Sequence, residues 1–101
     1  MSELKKIRGG KLLARALRDK GVEHVFTLAG GFCNPALEGF MDYEMPVINC
    51  PHEQVAGHLA DGITRITRKP AVCIVGPEGF ANAVPAMMEA WGERSPIIFV
   101  T

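Results

Sequence analysis

The sequence predicts a three-layer α/β/α domain on a parallel sheet of about four strands, and three observations predict it. Stretches with helical spacing alternate with short apolar runs, in the order helix, then strand–helix repeated, then a last strand. One run, Ala71-Val72-Cys73-Ile74-Val75, is apolar without a break, as in a strand covered on both faces. Two runs lead into glycine turns, Gly30-Gly31 and Gly76-Pro77-Glu78-Gly79, and open α/β sheets place their ligands outside the carboxyl ends of the strands.

Each element follows from local chemistry. Residues 1–8 read as a mobile lead-in to a domain over 9–101. From Gly10, Leu12, Leu13, Ala16 and Leu17 recur at helical spacing, and Gly21 supplies a stop. The run 22–28 predicts a buried strand, and 35–41 a helix with Asn34 as N-cap and Pro35 in the first helical position. A short strand over 46–49 precedes a helix over 51–67, again opened by a proline. This helix carries Val55, Leu59, Ile63 and Ile66 on one stripe and the small residues Ala56, Gly57 and Ala60 on a neighbouring face, which allows close approach by another backbone or helix. Arg68-Lys69-Pro70 ends it. After the strand over 71–75, a helix over 80–92 places Val84, Met87, Met88 and Trp91 on one side, as core or as a helix–helix interface. The run 96–101 reads as a further buried strand, central in character, so the chain looks like a piece of a larger fold.

Composition narrows the function classes. The 101 residues carry 11 basic and 11 acidic side chains, so charge offers no case for nucleic acid or an anionic membrane. Basic residues gather before Gly21, as expected of a solvated helix face. No apolar run is long enough to span a bilayer, and the polar N-terminus does not read as a signal peptide. Three widely spaced cysteines form no metal or disulfide pattern and favour a reduced, cytoplasmic setting.

Several residues could carry chemistry. Glu53 falls where the strand over 46–49 gives way to a helix, either as a plain charge complement to the helix start or as a site carboxylate. Gly30-Gly31-Phe32 lacks the later glycines of a dinucleotide fingerprint, and neither glycine turn is followed by a phosphate-binding lysine, so a tight turn competes with a phosphate cradle. Cys33 with His52 or His58 could form a thiol–imidazole pair, as in a thiol hydrolase, or all three could simply be packed. Glu78 is a site acid or a solvated loop residue.

The ordered set Gly21-Val22-Glu23-His24-Val25-Phe26, Gly30-Gly31, His52-Glu53-Gln54-Val55-Ala56-Gly57-His58-Leu59-Ala60-Asp61-Gly62, Arg65 to Pro70, Gly79-Phe80-Ala81-Asn82-Ala83, Ala90-Trp91 and Ser95-Pro96 resembles the N-terminal pyrimidine-binding domain of thiamine-diphosphate-dependent enzymes. The nearest group is that of acetolactate synthase, benzoylformate decarboxylase and benzaldehyde lyase. The resemblance covers residues 9–101.

It implies that Glu53 is catalytic: its carboxyl shares a proton with N1′ of the cofactor's aminopyrimidine and so helps the cofactor lose its C2 proton. It implies that Gly30 and Gly31 admit the cofactor, that Val75 and Gly76 lie against the pyrimidine, and that Phe32 faces the substrate with an apolar wall. The enzyme so implied decarboxylates or carboligates 2-oxo acids or related carbonyl compounds. Glu78 departs from the serine–glycine–proline–glycine turn of synthase relatives. The Gly-Asp-Gly motif with a later asparagine that holds Mg2+ and diphosphate has no counterpart here. The resemblance therefore implies a truncated first domain, inactive alone, that completes its site with the diphosphate-binding domain of a partner subunit in a homo-oligomer. The competing reading is a non-catalytic α/β binding or assembly module that uses the Ala56, Gly57 and Ala60 face.

Overall fold

A right-twisted strand feeding a helix can return to a parallel sheet only by a right-handed crossover, and this rule organises the chain. The computed structural model describes residues 6–101. In chain order the elements are α1 (Gly9–Asp19), β1 (Val25–Thr27), α2 (Asn34–Asp42), β2 (Val47–Asn49), α3 (Glu53–Thr67), β3 (Ala71–Ile74), α4 (Phe80–Gly92) and β4 (Ile97–Val100). All strand pairs are parallel and the sheet order is β2-β1-β3-β4. Val25 pairs with Val47 on one side and Val72 on the other, and Ala71 pairs with Ile97.

The unbroken apolar run over 71–75 divides between two layers because successive strand residues point to opposite faces. Val72 and Ile74 join Val25 under α1 and α2, packed on Leu17, Leu37 and Phe40. Ala71, Cys73 and Val75 join Phe26 under α3, packed on Ala56 and Ala60. The three-layer α/β/α expectation holds. Of the lead-in over residues 1–8, residues 1–5 lie outside the described residues. Arg8 is extended and pairs with Glu38 at 3.6 Å.

Helix ends differ from expectation in two places. Cys33, not Asn34, precedes α2, so Asn34 is the first helical residue and Pro35 the second. Neither Pro51 nor His52 is helical: α3 starts at Glu53, and the extended His52 caps it by accepting Gln54 N–H on Nδ1 at 3.0 Å. The last strand, which read as central, lies at the edge of the sheet and is half-buried.

Helix α3 meets another helix through its small-residue face, as its sequence allows. Its buried face is Ala56, Gly57, Ala60, Asp61 and Thr64, while Val55, Leu59 and Ile66 are exposed and only Ile63 packs on the core. The reason is proximity. A methyl group built on Gly57 would lie 2.5 Å from Cβ of Ala86, so α3 and α4 approach too closely for larger residues. On α4 the same logic buries Ala83, Ala86 and Ala90 and leaves Val84, Met88 and Trp91 outside. The small-residue face is therefore covered from within the chain and is not free for a binding partner.

Asp61 is the one charged residue in this buried layer among the described residues. Arg65 grips it through Nε at 3.0 Å and Nη2 at 2.7 Å, and Ser95 Oγ donates to it from the loop before β4. The Arg65 hydrogen bonds, with help from Ser95, outweigh the cost of burial and hold the Asp61 carboxyl below its ordinary range. A depressed carboxyl contributes stability that is complete above its unfolded pKa and lost as pH falls through the folded value. Asp61→Asn is therefore expected to cost about 1–3 kcal/mol near neutral pH, with the gap closing below about pH 4. Urea unfolding of both proteins at neutral and acid pH checks this.

Candidate active site at the carboxyl ends of the strands

The chain moves from β1 outward to β2, then returns across β1 to β3 and β4, so the direction of winding reverses between β1 and β3. At such a switch point the connections leave opposite faces of the sheet and open a crevice beyond the strand ends. Gly30, Gly31 and Phe32 follow β1, and Val75 and Gly76 follow β3, so the sequence-predicted positions flank this point from adjacent strands. Thr27 Oγ1 donates to Ile74 O at 2.7 Å and fastens the two strand ends together. Ala29 N–H donates to Asn49 Oδ1 at 3.0 Å and ties the glycine turn to the end of β2.

The glycine turn is a real tight turn, closed by Cys33 N–H on Gly30 O at 2.9 Å. Neither glycine has a positive φ, and a methyl group on either would meet nothing within 4 Å. Folding places no demand for glycine there. Phe32 is 78% exposed and lines a cleft of about 410 Å³ with Ile74, Val75, Pro77 and Val100. That cleft opens toward α1 and α2 and is apolar in character.

Glu53 lies on the other side of the sheet, half-buried in the first turn of α3. Its side chain leaves its own helix and meets the start of α4. Oε1 accepts from Asn82 Nδ2 at 3.2 Å, and the carboxyl rests on Gly79, the residue preceding α4. A methyl group built on Gly79 would overlap Oε2 and lie 2.8 Å from Cγ and 2.9 Å from Cδ. Two helix N-termini, both positive dipole ends, thus meet at one carboxylate. The charge-complement reading and the site reading of Glu53 describe the same placement.

Gly79 has φ −76° and ψ −15°, which any residue adopts, so its lack of a side chain matters only for the room it leaves Glu53. Gly79→Ala is expected to leave the thermal unfolding midpoint unchanged or slightly raised, because the αR backbone accepts alanine. It should displace Glu53 from Asn82, seen as a changed chemical shift of the Asn82 side-chain amide.

The thiols are not arranged for nucleophilic work. Burial, and then the charge of Glu78, pushes the Cys33 thiol up, away from the reactive thiolate. Cys50 is likewise raised by burial, and Cys73 is pushed up to about 12, by burial first and then by Cys50 and Glu53. His52 spends Nδ1 on its cap and His58 faces Gln54 at 3.4 Å. Among the described residues neither imidazole hydrogen-bonds a thiol. Glu78 Oε1 lies 3.9 Å from the position a Gly76 Cβ would take, so this acid borders the switch point. Asn82 lies in the Gly79–Ala83 stretch that carries the family resemblance, yet the sequence assigned it no role. Its signal was a lone amide in the first turn of an otherwise apolar helix start, Phe80-Ala81-Asn82-Ala83-Val84.

A parallel α/β/α layer whose winding reverses between β1 and β3 defines a domain of the doubly wound class. The family model described as "Thiamine pyrophosphate enzyme, N-terminal TPP binding domain" matches residues 7–101, and the chain belongs to that family. It is 35% identical over 94 residues to acetolactate synthase large subunit IlvG of Mycobacterium tuberculosis, covering 91% of this chain and 17% of that protein. It is 36% identical over 94 residues to mouse 2-hydroxyacyl-CoA lyase 2, covering 91% of this chain and 15% of that protein. The crystal structure of benzoylformate decarboxylase from Polynucleobacter necessarius superposes with a TM-score of 0.76 at 22% identity, over 92% of this chain and 18% of that one, which shows the shared fold. The chain thus spans less than a fifth of the length of these relatives. Among the described residues no helix is long and apolar enough to cross a membrane.

Proposed function

We propose that this chain supplies the pyrimidine side of a thiamine diphosphate site in an enzyme that decarboxylates or carboligates 2-oxo acids or related carbonyl compounds. The observation that carries the reading is the Glu53 carboxyl held at the meeting of two helix starts, against Gly79 and Asn82. When bound, thiamine diphosphate supplies an acidic carbon and an electron sink for carbanion chemistry. Glu53 presents a carboxyl able to share a proton with a ring nitrogen, Val75 keeps its side chain buried and Gly76 has none at the end of β3, and Gly30 and Gly31 leave room for close approach. These residues suit an aminopyrimidine.

They do not suit a diphosphate. No lysine or arginine occurs between Lys20 and Arg65 or between Lys69 and Arg94, which includes every strand end of the switch point. The diphosphate and its Mg2+ then belong to another domain, contributed by a partner subunit in a homo-oligomer. The exposed Leu59, Ile66, Met88 and Trp91 support such an assembly, because large apolar side chains left on a helix layer mark partner surfaces. Phe32, exposed beside Val75, would offer the substrate an apolar wall. The test joins this domain to a diphosphate-binding domain and measures exchange of the cofactor C2 proton. Exchange that needs Glu53 supports the reading, and exchange indifferent to Glu53→Gln removes it.

A further inference from the structure

We infer that Asn82 is a positioning residue for Glu53, fixing Oε1 as the accepting oxygen so that Oε2 is the oxygen that carries the exchangeable proton. This inference rests on the proposed role of Glu53. The geometry supplies an asymmetry between the two oxygens. Asn82 Nδ2 donates to Oε1 at 3.2 Å, while Oε2 faces Gly79, which offers neither a side chain nor a donor to it. A carboxyl group that gains a proton keeps its better acceptor on the carbonyl oxygen, and an N–H donor selects that oxygen. With the donor on Oε1, protonation falls to Oε2.

The arrangement is built by two helices and not by one flexible loop. Glu53 opens α3 and Asn82 sits in the first turn of α4, and these helices are locked by the close Gly57–Ala86 approach. The donor therefore comes from a backbone whose position relative to Glu53 is set by core packing. Gly79, with no side chain, leaves the carboxyl room to lie where it meets Asn82. A carboxyl held in this way presents one oxygen at one place, which is what proton sharing with a fixed ring nitrogen requires.

The first arm of the test uses the chain itself, with carbon and nitrogen labels, in a pH titration by NMR. The Asn82 side-chain amide is expected to shift in step with the Glu53 carboxyl carbon, and to stop doing so in Glu53→Gln. An amide that stays flat while Glu53 titrates would overturn the inference. The second arm measures C2-proton exchange in the enzyme joined to its diphosphate-binding domain. Asn82→Ala is expected to slow exchange about tenfold, the scale of one lost hydrogen bond to a charged group, with the unfolding midpoint little changed.

Asn82→Asp separates donation from packing, because it keeps the shape and removes the donor. It should slow exchange at least as much as alanine and alter the pH profile. Wild-type exchange in Asn82→Asp, or in Asn82→Ala, would sink the inference. If instead Glu53→Gln itself leaves exchange untouched, the thiamine reading fails, and the NMR arm still decides whether Asn82 holds Glu53.

Discussion

Glu53→Gln is expected to slow exchange of the cofactor C2 proton by about 10²- to 10⁴-fold, the usual worth of a positioned acid–base group. The substitution is informative because so little else changes. Glutamine has the length of glutamate, its amide oxygen can still accept from Asn82, and its volume still fits against Gly79. What it lacks is a proton that can be given and taken at the ring nitrogen. Its cost to folding is limited to the lost charge at the helix starts, about 0.3–1 kcal/mol. Aspartate fails for a different reason: one methylene shorter, it withdraws from the Asn82 amide on the neighbouring helix. Exchange slowed with the unfolding curve preserved supports the assignment, and unchanged exchange removes Glu53 from the chemistry.

Much of this arrangement was legible in the sequence, for reasons that can be named. Alternating periodicities betray a parallel sheet, and the unbroken run at Ala71–Ile74 betrays a strand covered twice. Glu53 stood out because it follows a strand directly and opens a helix, and the ordered resemblance gave that carboxylate a family. The order of the strands was not legible, since nothing in Val47–Asn49 says that it flanks β1 on the side away from β3. The small face of α3 was legible as a place for close approach, but not which helix would fill it. In the structure the helices approach through Gly57, Ala60 and Ala86, and large residues are excluded from the gap. The Asn82–Glu53 hydrogen bond joins residues 29 apart, and no local pattern announces such a pair.

The same principle of close approach yields the largest expected loss of stability, at the crossing of α1 and α2. A methyl group on Gly10 would run into the Pro35 carbonyl and lie 2.8 Å from Ala36 N. One on Gly39 would lie 2.5 Å from Gly10 O and 2.8 Å from Lys11 Cα. Every one of these atoms is backbone, so no side chain can swing aside, in contrast to Gly79, where the obstacle is the movable end of Glu53. Gly39 sits inside α2, where helix propensity alone would favour alanine by about 1 kcal/mol. Sterics reverse the sign: Gly10→Ala and Gly39→Ala are each expected to destabilise by about 1–3 kcal/mol, the cost of overpacking a tight core. For a domain of this size that lowers Tm by roughly 5–20 °C, measured by the helical circular dichroism signal on heating. Gly62→Ala is the internal control. It lies in α3 with nothing within 4 Å of an added methyl, so there propensity should act unopposed and raise Tm by a few degrees. Equal losses at Gly10, Gly39 and Gly62 would show that helix packing through glycine does not hold α1 and α2 together. The predicted contrast would show that the α1–α2 layer is set by backbone contact through these two glycines.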